Sequence, residues 1–172
     1  NYSGSEIANI MSNSEDIAEL FKIAESMLGT LRNNQMNSLI WMYDYLGLKK
    51  EVILTLTAYC IKIDKTNPAY IEKIACSWAE NDINSLAAAQ EEVQRLSSAN
   101  DYMEKIVKLF EMNRRPSTKE REFIEQWKKD GFSTELIHYA YEKTVEQINK
   151  LSFAYISKIL DSWKSSGFTD VK

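Results

Sequence analysis

The chain has 172 residues, 44% of them hydrophobic and 27% charged, with a net charge of −4. That length allows one domain or two small ones, and the balance is ordinary for a globular chain. A mildly acidic protein is a poor general nucleic-acid binder, because phosphate contacts supply most non-specific affinity.

No apolar run approaches the roughly 20 residues needed to cross a bilayer, and no signal peptide opens the chain. A cytoplasmic protein without a membrane-spanning segment is expected. The first residue is Asn1 rather than Met, as expected of a fragment of a longer protein. Five Gly and two Pro leave little material for β-turns, while Ala, Leu, Lys, Glu and Met favour helices. Nothing reads as a strand.

Residues 1–16 read as a lead-in segment, with a short helix in "SGSEIANIMSN" (3–13). Residues 17–80 read as a first helical domain. There Gly47 stops one helix, and Val52, Ile53, Leu56, Tyr59, Cys60 and Ile63 line the next. Asn67-Pro68 then supplies an N-cap followed by Pro at the first helical position, where its missing N–H costs nothing. Residues 81–100 read as a connecting helix and linker, capped by Asp82 and bounded in "SSAN" (97–100). Residues 101–172 read as a second helical domain. Its first helix spans Tyr102 to Met112, and "NRRPS" breaks it. Ser117 and Glu120 then form a capping box ahead of Phe123, Ile124 and Trp127, and Gly131 ends that helix. Ser133 caps a third helix and Ser152 a fourth. The expected fold class is all-α, with two tandem domains of about four helices each joined by a connecting helix.

The two domains repeat one another. "YIEKIACSW" (70–78) and "YISKILDSW" (155–163) agree at six of nine positions. Upstream, "LIWMYDYLGLKKEVI" (39–53) aligns with "FIEQWKKDGFSTELI" (123–137), facing Tyr43 with Trp127 and Gly47 with Gly131. The offset is 84 there and 85 at the Tyr-x-x-x-Ile-x-x-x-Trp motif. The unit is too long for a solenoid repeat, so domain duplication fits better.

Little here suggests catalysis. His138 is the single histidine, lies between the expected core positions Ile137 and Tyr139, and reads as structural. Phosphate-binding loops and nucleophile elbows are missing. Glu91 and Glu92 point about 100° apart on a helix and form no dyad. One His and no Cys-x-x-Cys pair argue against zinc. Cys60 and Cys76 read as buried free thiols. No catalytic residue, metal or cofactor is expected.

The motif helices remain. Tyr155, Ile159 and Trp163 share one helix face, as do Tyr70, Ile74 and Trp78. Such a stripe is usually core, yet a Tyr and a Trp at the edge of a helical unit also stack on unpaired bases. Lys158 and Lys164 flank the second stripe, either as phosphate contacts or as solubilising surface. Arg114, Arg115, Lys119 and Arg121 cluster at a helix start, where positive charge opposes the macrodipole, and this favours a binding role. Residues 1–96 carry 8 Lys+Arg against 13 Asp+Glu, and residues 97–172 carry 13 against 12. A DNA site belongs in the second half.

The second copy resembles the C-terminal domain of the DnaD/DnaB family of replication-initiation proteins over about residues 102–169. The resemblance rests on the Pro-Ser/Thr helix start, the Trp before Gly-Phe, the "STELI" helix start and the closing Tyr-Ile-x-x-Ile-Leu-x-x-Trp. The first copy resembles it more weakly over about 17–87, with Asn33-Asn34, Tyr43 and "KKEVI" as departures. The resemblance implies a non-enzymatic role in DNA replication: binding single-stranded or double-stranded DNA weakly, remodelling it, assisting helicase loading at the primosome, oligomerising and contacting the initiator, the replicative helicase or its loader. It ties the motif to single-stranded DNA, hence Tyr155, Ile159 and Trp163, and then Tyr70, Ile74 and Trp78. The alternative from another class is a helical protein–protein adaptor with no DNA binding of its own.

Overall fold

The computed structural model describes residues 1–167, and among these residues every regular element is helical. Two compact units emerge, Asn1–Gln94 and Arg95–Lys172.

In the first unit, α1 (Gly4–Asn13) leads into α2 (Glu15–Leu28), α3 (Asn33–Ile40), α4 (Lys50–Lys62) and α5 (Pro68–Glu80). Serines cap the first two, Ser3 in a full capping box and Ser14 accepting the Ile17 N–H. Asn67 caps α5 with Pro68 at its start, as the sequence predicts. α4 packs on α2 and on α5. The core includes Leu20, Phe21, Leu39, Ile40, Val52, Ile53, Leu56 and Cys60. Burial pushes the Cys60 thiol up to about 11, so it stays protonated and unreactive. Cys76 is also a free thiol, but only partly buried.

α3 does not end as an α-helix. Trp41–Tyr45 forms a π-helical turn, closed by the Leu46 N–H donating to the Trp41 carbonyl at 3.1 Å. A π turn accommodates one residue more than an α-helical turn. This changes the expected pairing of the copies. Met42 is 1% exposed, as is Trp127, whereas Tyr43 is only half-buried and donates its hydroxyl to Asp16 at 2.7 Å. The Leu48 N–H donates to Met42 as the Phe132 N–H donates to Trp127, both at 3.1 Å. Met42 therefore stands where Trp127 stands, and Tyr43 is turned off the core.

The helix α6 (Leu86–Leu109) carries the chain from one unit into the other. It runs through 97–100 unbroken, where a boundary was expected. Ser and Ala there supply no breaker, and Asn100 is tolerated mid-helix. Its cap also differs from expectation. The Ala88 N–H donates to the Ser85 hydroxyl, while Asp82 adopts a left-handed φ of 57° beyond the end of α5.

The second unit adds α7 (Thr118–Lys129), α8 (Thr134–Ile148) and α9 (Phe153–Ser165). Ser117, Ser133 and Ser152 cap them as predicted, Ser117 with the reciprocal Glu120 bond. Gly131 takes φ +82° just past α7, a conformation natural to glycine. The core is aromatic. Trp127 stacks on Phe153 at 5.6 Å, Phe110 on Tyr141 at 4.8 Å, and Phe110 meets Phe153 edge-on. Ile106, Ile124, Phe132, Ile137, Ile156 and Leu160 complete it.

Candidate nucleic-acid interface

Three ties fix α9 in the second unit. Phe153, Ile156 and Leu160 sink into the core. The Trp127 indole N–H donates to the Ser157 hydroxyl at 3.3 Å. Lys164 reaches Asp130, one residue past α7, at 2.9 Å. These leave the Tyr155–Ile159–Trp163 stripe one helical position around from the core stripe, at its margin. Ile159 and Trp163 pack against the core while remaining partly exposed. All three side chains of this stripe are partly exposed.

The exposed part of the stripe lines an open hollow of about 530 Å³ bounded by Tyr155, Lys158, Ile159, Ser162 and Trp163 from α9 and by Lys143 and Gln147 from α8. Trp163 leans on Tyr139 of α8, ring centroids 5.8 Å apart, and Tyr139 is 51% exposed. Lys143 lies over the Tyr139 ring at 5.7 Å. Sequence reasoning did not single out Lys143 or Tyr139. Their only signal was a basic and an aromatic residue four apart on the exposed side of α8. Tyr139 was expected in the core, and its exposure corrects that.

Three of the other candidate cations, Arg114, Arg115 and Lys164, are engaged within the unit. Arg114 makes a two-pronged pair with Glu120, at 2.7 and 2.9 Å, which holds the Glu120 carboxyl down at about 2. Arg115 pairs with Glu104 at 2.6 Å. The Lys164 contact depresses the Asp130 carboxyl. Among the described residues Lys158 and Lys143 form no ion pair. His138 contacts Glu142 at 3.6 Å, well placed as a surface pair.

The first copy is built differently at the same positions. Trp78 is 1% exposed and Tyr59 7%, while Tyr70 and Ile74 are half-buried. In this conformation Trp78 offers no ring face to a base. No group of acids, Cys or His suited to a metal occurs among the described residues, nor is any helix there long and apolar enough to cross a membrane.

A family model described as replication initiation and membrane attachment matches the chain twice, over residues 21–93 and 104–172. No curated protein and no solved structure gives a significant match.

Proposed function

Because the chain belongs to the DnaB_2 family of replication initiation and membrane attachment, most of its length being two tandem copies of that domain, we propose that it serves replication initiation by binding single-stranded DNA. In this reading it works without catalysis, in the cytoplasm, helping to deliver the helicase to the exposed strand. Binding runs through α9 of the second unit. Tyr155 and Trp163 stack on unpaired bases, Ile159 gives the hollow an apolar floor, and Lys158 neutralises phosphate. The observation that carries this is the half-open stripe on α9 beside an unpaired Lys158, set against the sealed Trp78 of the first copy. Arg114, Arg115 and Lys164 serve the fold first, since each is spent on an internal carboxylate. The first unit, with its stripe turned inward, contributes an interaction surface.

A second reading has a specific observation in its favour. Three of the candidate cations are already paired, as suits an adaptor that docks helix to helix on the initiator, the helicase or a second copy of the chain. The test is fluorescence anisotropy of a labelled single-stranded oligonucleotide at low and moderate salt. DNA binding predicts a salt-sensitive titration lost in Trp163→Ala while circular dichroism stays helical. The adaptor predicts no titration at any salt.

A further inference from the structure

We propose that α8 supplies the second wall of the nucleic-acid cleft, with Lys143 as its phosphate contact and Tyr139 as the buttress for Trp163, and that a tyrosine at the matching position closes the cleft in the first copy. The proposal rests on the single-stranded DNA reading of α9 given above.

Four observations lead to it. First, the hollow is two-sided: α9 gives Tyr155, Lys158, Ile159 and Trp163, and α8 gives Lys143 and Gln147. A base inserted beside Trp163 therefore faces α8 as well. Second, Lys143 and Lys158 flank the hollow from opposite helices and form no ion pair among the described residues; Lys143 rests on the Tyr139 ring, so neither charge is neutralised by a carboxylate. Third, the exposed Tyr139 ring backs Trp163. An indole held from behind stacks with less ordering cost than a free one. Fourth, the charge changes sign between two hollows that share Lys143. The second, about 570 Å³, is bordered by Tyr139, Glu111, Glu142 and Glu146. Phosphates are drawn to the α9 side and repelled from the other, which confines the strand's path.

The comparison of copies identifies the deciding position. The helix starts of α4 and α8, at Lys50 and Thr134, are 84 residues apart, and those of α5 and α9, at Pro68 and Phe153, 85 apart. Lys143 thus matches Tyr59, Tyr139 matches Thr55, and Trp163 matches Trp78. Where α8 presents a lysine, α4 presents a tyrosine that is 7% exposed, and the matching tryptophan is 1% exposed. A buried aromatic ring in place of a solvated ammonium removes the phosphate contact in the copy whose tryptophan is sealed.

The experiment is anisotropy of a labelled oligothymidine with the full chain across a salt series, comparing wild type with Lys143→Ala, Lys143→Arg, Lys143→Tyr, Tyr139→Ala and, as a distant cation, Lys108→Ala. Trp163→Ala reports the α9 reading separately. Losing one single-strand phosphate contact lowers the magnitude of the slope of log affinity against log salt by about 0.7. Lys143→Ala is expected to show that change and bind several-fold more weakly, Lys143→Arg to restore both, and Lys108→Ala to change neither. Lys143→Tyr is expected to bind as poorly as Trp163→Ala, whose loss is roughly 5- to 150-fold for one stacked base. Tyr139→Ala weakens binding with the salt slope intact. If Trp163→Ala loses binding while every Lys143 and Tyr139 variant matches wild type, the α8 wall is refuted and the α9 site stands. If wild type binds no oligothymidine, both fall together.

Discussion

Trp78 and Trp163 occupy the same place in the same nine-residue motif, yet one is sealed and the other half-open. Their truncation should separate them. Trp78→Ala empties a fully buried site and is expected to cost about 3–5 kcal/mol; Trp163→Ala, already part-solvated, costs about 1–2 kcal/mol on the smaller apolar area involved. Urea denaturation checks both, and similar costs would refute the distinction. Ser38 offers a gain instead. It is buried, its hydroxyl has no partner among the described residues, and Ser38→Ala is expected to stabilise by about 1 kcal/mol, read as a higher urea midpoint. Glu120 carries an acid response. Its carboxyl is held at about 2 by Arg114, below its unfolded value, so its stabilisation is complete above about pH 4.5 and fades as pH falls towards 2. With Arg114 half-exposed, solvent screening holds that to about 1 kcal/mol or less at neutral pH. Glu120→Gln should flatten this part of an acid-unfolding series. At this scale the sequence named the stripe residues but could not orient them. Periodicity places Tyr155, Ile159 and Trp163 on one face; only the packing of Phe153, Ile156 and Leu160 says how far that face turns from the core.

Among elements, the caps were the most legible feature. Ser117, Ser133, Ser152 and Asn67 each satisfy orphan N–H groups locally, so a few neighbouring residues decide them. The α6 start was misread because Asp82 and Ser85 are both good caps, and the left-handed turn at Asp82 depends on contacts the sequence does not display. That turn carries a prediction: Asp82→Gly relieves left-handed strain and should stabilise by about 0.5–1 kcal/mol, while Asp82→Val should destabilise by about 1–2 kcal/mol. The π turn was not legible, since one-residue shifts in a helix leave composition unchanged. It predicts unequal tolerance to deletion. Removing Tyr45, 77% exposed, lets the turn tighten to α geometry and should shift stability by less than about 1 kcal/mol. Removing Gln126 from α7, which has no residue to spare, rotates Trp127 off the core and should cost about 3 kcal/mol or more. Thermal melts of the two deletions decide this.

For the molecule as a whole, charge divides with the units. Asn1–Gln94 holds 7 Lys+Arg and 13 Asp+Glu, and Arg95–Lys172 holds 14 and 12. With Lys143 and Lys158 the cations at the cleft, the salt slope for single-stranded DNA should be shallow, about −1.4 from two phosphate contacts; a slope several times steeper would point to a broader surface. The tandem organisation was readable because duplication repeats whole patterns, which survive even where individual residues have changed roles. The π turn also leaves a trace in the spacing of the helices. From Asn33 to the start of α4 is 17 residues, and from Thr118 to the start of α8 is 16, while from there to the starts of α5 and α9 it is 18 and 19, so the first copy carries one residue more before α4 and one fewer after it. The two single-residue differences offset each other, so the closing motif returns to the register in which the copies begin, with Met42 facing the core in one and Trp127 in the other.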